Sequence, residues 1–359
     1  MATSELKPFC VDTLEVINGK TARRPRQHLP LQPFKPFPIY DPFGIRCAVV
    51  PVFRTGVDGQ IYGMGTAFHV DGWGTFLTAD HVIDYTRSAH KNVLDIGATV
   101  TTHQPPPLLL LSIGVVFGRV GIPTEAFAAV NRIDTVMRLS DDPIAALQGR
   151  SQIEIAADIA VMATQFHPKA KPPPSSLPVR IAGGAPSIGE HVLAIGYPEL
   201  DCKELDEAAR TALLEEGMFG AYGRVNNVHQ EGRDRANPTP VFEVECDWPP
   251  GMSGGPVANE RGDIIGLVSR SLRADGNAPG VGWASSFALL PELKAMVPSL
   301  EAELPGWRRG WAVLRGDPPK FARIFQSEEE AIHYGKSMGG GCKIQRGRNR
   351  IATNEFVGT

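Results

Sequence analysis

The sequence predicts an all-β protein: a large β-domain in two halves, then a small β-β-α-β unit from about residue 304. Three observations lead there. Short apolar runs recur at fairly even spacing, each ended by turn-forming residues, as a barrel or sandwich requires. Glycine (38) and proline (31) both exceed average usage in these 359 residues, which favours turns and short strands over long helices. The Pro/Ser-rich stretch KAKPPPSSLP at 169–178 separates the apolar runs into two groups and reads as a linker with little to pack.

Taken in order, residues 1–40 carry Pro30, Pro33, Pro36 and Pro38, with Pro42 just beyond, and read as an extended arm. The first half of the β-domain spans about 41–168. IRCAVVPVF from Ile45 is β-rich, and IYGMGTAFHVDGWGTFLTADHVI reads as two strands about the turn DGWG. IEIAADIAVMAT has the length and composition of a buried strand. The second half, about 179–300, holds HVLAIGYP, a helix-like insertion from Cys202 to Gly217, then GAYGRVNNV, PVFEVECDW, GMSGGPV, DIIGLVSRS and GVGWASSFA. LLPELKAMV would close it as a helix. In 304–359, GWAVLRG and KFARIFQ form a hairpin. SEEEAIHYGKSM is a helix with Ser327 as N-cap and Glu330 completing a capping box, and CKIQRGRNRIATNEF supplies final strands.

Composition excludes several function classes. The apolar fraction of 42% and charged fraction of 21% are those of a folded soluble protein. A net charge of −3 gives no pull toward nucleic acid or an anionic membrane. The N-terminus has neither a basic start nor an apolar h-region, and no run nears the roughly 18–20 apolar residues that span a bilayer. Cys10, Cys47, Cys202, Cys246 and Cys342 are odd in number and scattered, with no C-x-x-C pair, so a reducing cytoplasm is expected rather than a disulfide or zinc framework.

The chemistry centres on Gly251-Met252-Ser253-Gly254-Gly255-Pro256. Flanking glycines let the chain turn tightly and aim backbone N–H groups at a substrate carbonyl. A serine hydroxyl needs a base to remove its proton, and the tetrahedral oxyanion needs donors already in place. The N–H groups of Gly251 and Ser253 are the candidates for that oxyanion hole. Leu77-Thr78-Ala79-Asp80-His81-Val82 places a histidine just after an apolar strand, and Asp158-Ile159-Ala160-Val161 opens a buried run with a carboxylate. A buried aspartate can hold the histidine's tautomer and stabilise its positive charge. The three stand in the order His81, Asp158, Ser253, separated by 77 and 95 residues.

These segments resemble the trypsin-like peptidase superfamily, especially the bacterial, disulfide-free, HtrA-like branch. GTAFHVDGWGTFLTADHVI, DIAV, AIGYP, PGMSGGPV and GDIIGLVS carry the resemblance over about residues 45–290. It implies a chymotrypsin-like double antiparallel β-barrel of six strands each, with the triad at the junction, and substrate bound as an extended strand on a barrel edge. It also implies that GLVSRS lines the primary specificity pocket, so that Ser269, Arg270 and Ser271 contact substrate. PGVGWA would form the opposite wall, with Gly280 leaving the pocket open. Asp247 lies six residues before Ser253, where trypsin-type enzymes carry a carboxylate selecting arginine or lysine. The alternative is a loop aspartate on a shifted alignment, because Pro249-Pro250 departs from the trypsin pattern.

Other departures bear on regulation. Met252 stands where digestive members have an aspartate that captures a freed N-terminus, so that zymogen ion pair cannot form. Val82 replaces the cysteine that often follows the family histidine, and no PDZ domain follows residue 300. The C-terminal unit resembles small β-β-α-β domains of unknown function through Trp311-Ala312-Val313 and the Phe325–Ile332 helix start. Its Arg346, Arg348 and Arg350 read as a solvated edge, with an anionic partner as the alternative.

Two rivals remain to be weighed. An α/β-hydrolase shares G-x-S-x-G but needs a helix after the serine and a late histidine. Ser253 is followed by a strand-turn-strand pattern, and the only later histidine is His333. A latent or non-catalytic protease-like module, switched on by a partner through residues 304–359, shares every residue named. The expectation is a cytoplasmic serine endopeptidase acting on protein or peptide substrates, with no metal or organic cofactor implied.

Overall fold

The structure is a computed structural model describing residues 9–17, 20–28, 36–39, 41, 44–56, 61–70, 74–89, 93–96, 100–103, 109–112, 127–140, 147, 149, 153–165, 175–181, 185–198, 217–234, 237–273, 280–290, 293, 307–325, 327–350 and 355–358. It divides into two units, Met1–Met296 and Val297–Thr359.

The chain enters unit one through a hairpin of β1 (Phe9–Ile17) and β2 (Lys20–His28), followed by β3 (Pro36–Pro38). The arm expected here is thus paired backbone for much of its length. Pro36 and Pro38 are compatible with that because β3 lies at the outer edge of its sheet, where a missing N–H costs no ladder bond.

The first barrel contains β4 (Val49–Thr55), β5 (Ile61–His69), β6 (Thr75–Thr78), β9 (Leu109–Ser112), β10 (Phe127–Ser140) and β11 (Ile153–Gln165). Helix α1 (Asp80–Ala89) follows β6, while β7 (Val93–Ile96) and β8 (Val100–His103) extend the sheet beside β10. The strand order β11-β6-β5-β4-β9-β10 closes through β10–β11 pairing. Register shifts at Val130/Arg132 and Thr135/Met137 mark irregularities in the long strand β10, the kind of extra residue that bends a strand toward closure. Ala157, Ile159, Ala160, Val161 and Met162 of β11 are all buried, which is why that segment reads as a continuous apolar run.

The second barrel contains β12 (His191–Gly196), β13 (Phe219–His229), β14 (Val241–Glu245), β15 (Pro256–Asn259), β16 (Ile264–Leu272) and β17 (Val281–Ser286). Their order β12-β15-β16-β17-β14-β13 closes through β12–β13, and β3 adds outside β13. Phe242, Val244, Trp248, Met252, Val257 and Val268 are among its core. Both sheets are therefore closed antiparallel six-stranded barrels with short additions, as a chymotrypsin-like double barrel demands.

The described part of the 169–178 linker is well packed. Leu177 is fully buried, Ser175 Oγ donates to Gly44 O at 3.0 Å, and Ser176 exchanges backbone hydrogen bonds with Leu14. The hairpin supplies partners that composition alone does not reveal. The 202–216 part of the expected insertion, and all of the expected closing helix after Leu290 except the buried Leu293, lie outside the described residues.

Unit two is a sheet of order β19-β18-β20-β21, from β18 (Trp307–Arg315), β19 (Lys320–Phe325), β20 (Cys342–Arg350) and β21 (Glu355–Gly358). Helix α2 (Glu328–Ser337) starts at Ser327, whose Oγ accepts the Glu330 N–H at 3.2 Å. Gly335 of α2 sits over Ile344 and Val313, where a larger residue would crowd the sheet. The Arg346 guanidinium lies 6.0 Å from the Trp311 ring; the side chains of Arg348 and Arg350 are outside the described residues.

Candidate active site

His81 is the second residue of α1, which begins just after β6 ends, so one short turn fixes the imidazole at the rim of the first barrel. Asp158 comes from β11, which pairs with β6. The Asp158 carboxylate accepts from His81 Nδ1 at 2.8 Å through Oδ1 and 3.0 Å through Oδ2, and Oδ1 also accepts the His81 backbone N–H at 3.0 Å. The ring nitrogen facing Asp158 therefore carries the proton, which leaves Nε2 as the acceptor.

The second barrel grips the same aspartate. Ser269 Oγ donates to Asp158 Oδ2, the Asp158 N–H donates to Thr239 Oγ1 at 2.8 Å, and Ser285 Oγ donates to Asp158 O at 3.2 Å. Burial opposes the His81 cation, and Arg270 adds to that. The hydrogen bond and charge of Asp158, helped by Asp80, outweigh both, so His81 titrates above its ordinary value. Burial likewise opposes the Asp158 anion, but the hydrogen bond and charge of His81, then Ser269 and the His81 N–H, hold its carboxyl below the usual range.

Ser253 lies on the turn between β14 and β15, with Gly251 at φ 92° and Gly254 at φ 83°. Both are left-handed conformations that favour glycine. At Gly254 the space is closed as well: a β-carbon would stand 2.2 Å from Thr66 O and 2.2 Å from Thr78 Oγ1. The turn is tied to strand β5 by Thr66, whose N–H donates to Ser253 O at 2.9 Å and whose Oγ1 donates to Gly251 O at 2.9 Å. Gly65 sits where a β-carbon would meet both Ser253 O and the Val82 side chain at 2.9 Å, which places Ser253 beside the His81-Val82 turn. Among the described residues, Ser253 Oγ makes no hydrogen bond; such contacts often tighten only when substrate is bound.

A cleft of about 220 Å3 opens beside His81 and Asp158, lined also by Asp80, Arg233, Arg270 and Trp283. Of the substrate contacts expected from sequence, Arg270 alone is exposed, and it lines this cleft. Ser269 lines it too, but its hydroxyl is committed to Asp158. Ser271 donates to Trp248 O at 2.7 Å, and buried Gly280 accepts the Cys246 N–H at 3.0 Å. Asp247 is half-buried and is not part of the cleft lining. Thr66, Thr239, Ser285 and Trp248 were not singled out from sequence. Thr239 and Ser285 lie 81 and 127 residues from Asp158, so no local pattern could have marked them.

Residues 65–267, more than half of the chain, match the family described as the trypsin-like peptidase domain. No curated protein matches the chain. Among solved structures it is similar to the inactive form of the Rv3671c protease, at 16% identity over 70% of this chain and 89% of that one, with a TM-score of 0.37. It is similar also to the active form of the Rv3671c protease from M. tuberculosis, at 15% identity over 71% and 81%, with a TM-score of 0.38.

Proposed function

This chain belongs to the trypsin-like peptidase family, and on that premise we propose that it cleaves peptide bonds with Ser253, His81 and Asp158 as its triad. Ser253 Oγ attacks the carbonyl carbon as its proton passes to His81 Nε2. Asp158 holds His81 Nδ1–H and stabilises the imidazolium. The oxyanion is met by the N–H groups of Gly251 and Ser253. His81 then protonates the departing amine, and water, deprotonated by His81, releases the acyl group from Ser253.

The observation that carries this reading is the double contact of Asp158 with His81 Nδ1, at 2.8 and 3.0 Å, beside the glycine-flanked turn of Ser253. The test is a fluorophosphonate probe on the full chain, with Ser253→Ala as control. Label on Ser253 in the wild type and none in the variant supports the triad; equal labelling of both removes Ser253 from it.

A second reading has one observation in its favour. Among the described residues Ser253 Oγ makes no hydrogen bond, an arrangement that fits an enzyme waiting for a partner. It predicts labelling only once that partner is added, and unit two is the candidate docking element. Among the described residues Cys10, Cys246 and Cys342 form no disulfide, and Cys202 lies outside those residues; the cytosolic reading rests on the odd number and scattered positions of the cysteines in the sequence. Among the described residues no helix is long and apolar enough to cross a membrane. Cleavage after arginine or lysine would require Asp247 to face the substrate side chain, and the surroundings of that position favour a different preference.

A further inference from the structure

We propose that the space for the side chain preceding the cleaved bond is occupied by the indole of Trp248, so that the enzyme cleaves after small residues. The inference rests on Ser253 being the nucleophile.

The argument begins at the edge of β16. Its pairing with β15 ends at Leu267, where the Ser253 turn takes over: Gly254 N–H donates to Val268 O at 2.7 Å, and Val268 N–H donates to Gly255 O at 2.8 Å. Beyond Val268, among the described residues, β16 pairs only with β17. Its other edge is therefore open and runs on directly from the nucleophile turn. An extended peptide that adds there brings a carbonyl to Ser253, and alternate side chains enter the protein.

What those side chains meet is set by register. Ser271 of β16 stands opposite Gly282 of β17, so both lie on one face. That face is filled. A β-carbon on Gly282 would stand 2.3 Å from Trp248 Cε3, 2.7 Å from Trp248 Cζ3 and 2.7 Å from Cys246 Sγ. Ser271 Oγ donates to Trp248 O at 2.7 Å, which pins the backbone beneath the ring. The indole is completely buried, and its Nε1 has no hydrogen-bond partner among the described residues, so packing alone keeps it there. The glycine that makes room on this wall is Gly282, and the room goes to the protein's own tryptophan. Glycine, alanine and serine, with no side chain or a very small one, are the residues that such a floor favours. An arginine, lysine or phenylalanine side chain would have to displace the ring.

The experiment uses the full chain and three peptidyl diphenyl phosphonates differing only in the residue before phosphorus: alanine, phenylalanine or arginine. Each reacts by forming an Oγ–P bond to the serine with loss of phenol, so mass spectrometry reads the rate at Ser253 directly. The expected result is reaction of the alanine probe about tenfold or more faster than the other two, the scale by which pocket size discriminates. Trp248→Ala should reverse that order toward phenylalanine. Because Trp248 belongs to the barrel core, its folding is checked by circular dichroism, and the wild-type ranking decides independently of it. Equal rates, or preference for arginine or phenylalanine, overturn the proposal while leaving Ser253 as nucleophile. Failure of the simple fluorophosphonate to label Ser253 removes this inference together with the reading of the chain alone as a competent enzyme.

Discussion

Thr66 holds Gly251 from the opposite barrel: its hydroxyl donates to the Gly251 carbonyl at 2.9 Å while accepting the Tyr197 N–H at 3.0 Å. Its own N–H reaches Ser253 O at 2.9 Å, so one residue of β5 fixes the carbonyls on both sides of Met252. The proposed oxyanion donors are the N–H groups of the same two residues, Gly251 and Ser253, so we expect Thr66 to act as a positioning residue for them.

Thr66→Val keeps the shape and removes the hydroxyl. It leaves Gly251 O and Tyr197 N–H without that partner in a fully buried position, at a cost of about 1–3 kcal/mol in stability. We expect kcat to fall by about 10–100-fold, less than the roughly 100–1000-fold for losing an oxyanion donor outright because Thr66 acts only through the turn, with KM nearly unchanged. Thr66→Ser should restore most of it. A loss of stability with kcat intact would reduce Thr66 to a structural role.

The raised titration of His81 fixes the acid limb of activity. The base must be neutral, so kcat/KM should fall as pH drops through a value above the ordinary one of about 6.5. Stability runs the other way. The His81 contribution is fully present below about 6.5 and is lost as pH rises through the raised folded value. The lowered Asp158 contributes stability present above its usual value of about 3.9, lost on acidification through its lower folded value. A pH–rate profile with a parallel denaturation series checks both signs.

Asp158→Asn should lower kcat by about 10^4-fold, because an amide can hold the wrong imidazole tautomer. The acid limb should also move down. With the carboxylate charge gone, burial and Arg270 act on His81 against Asp80 alone. An acid limb that stays in place would mean that another group sets it.

The candidate site is legible in the sequence wherever its chemistry is written locally. A glycine-flanked serine, a histidine after an apolar strand and an aspartate opening a buried run each carry the pattern of their proposed role within a few residues. Ser269 was found on the right strand but given substrate as its partner, because register does not say which way a hydroxyl turns; here it turns to Asp158. Trp248 read as part of an apolar segment, and only the contact with Gly282 shows the space it fills. The N-terminal hairpin was missed for a related reason. KTARRPRQH has no period-two apolar pattern, and its strand conformation comes from nine-residue pairing with β1, not from propensity.

Two glycines separate backbone strain from steric exclusion at the nucleophile turn. Gly189 and Gly254 share nearly the same left-handed geometry, φ 88° and 83°. A β-carbon on Gly189 meets nothing within 4 Å, so Gly189→Ala should cost only the left-handed penalty, roughly 1–2 kcal/mol. At Gly254 the same atom falls 2.2 Å from the Thr66 carbonyl and 2.9 Å from Ala79 N, both backbone, so rotating a side chain cannot relieve it. Gly254→Ala must pay the same strain and in addition push the Ser253 turn away from β5, breaking the bonds from Thr66. We expect its denaturation midpoint to fall well beyond that of Gly189→Ala, and fluorophosphonate labelling of Ser253 to be lost in Gly254→Ala alone. Equal midpoints for the two variants would mean that the turn has slack, and that Thr66 does not set its position.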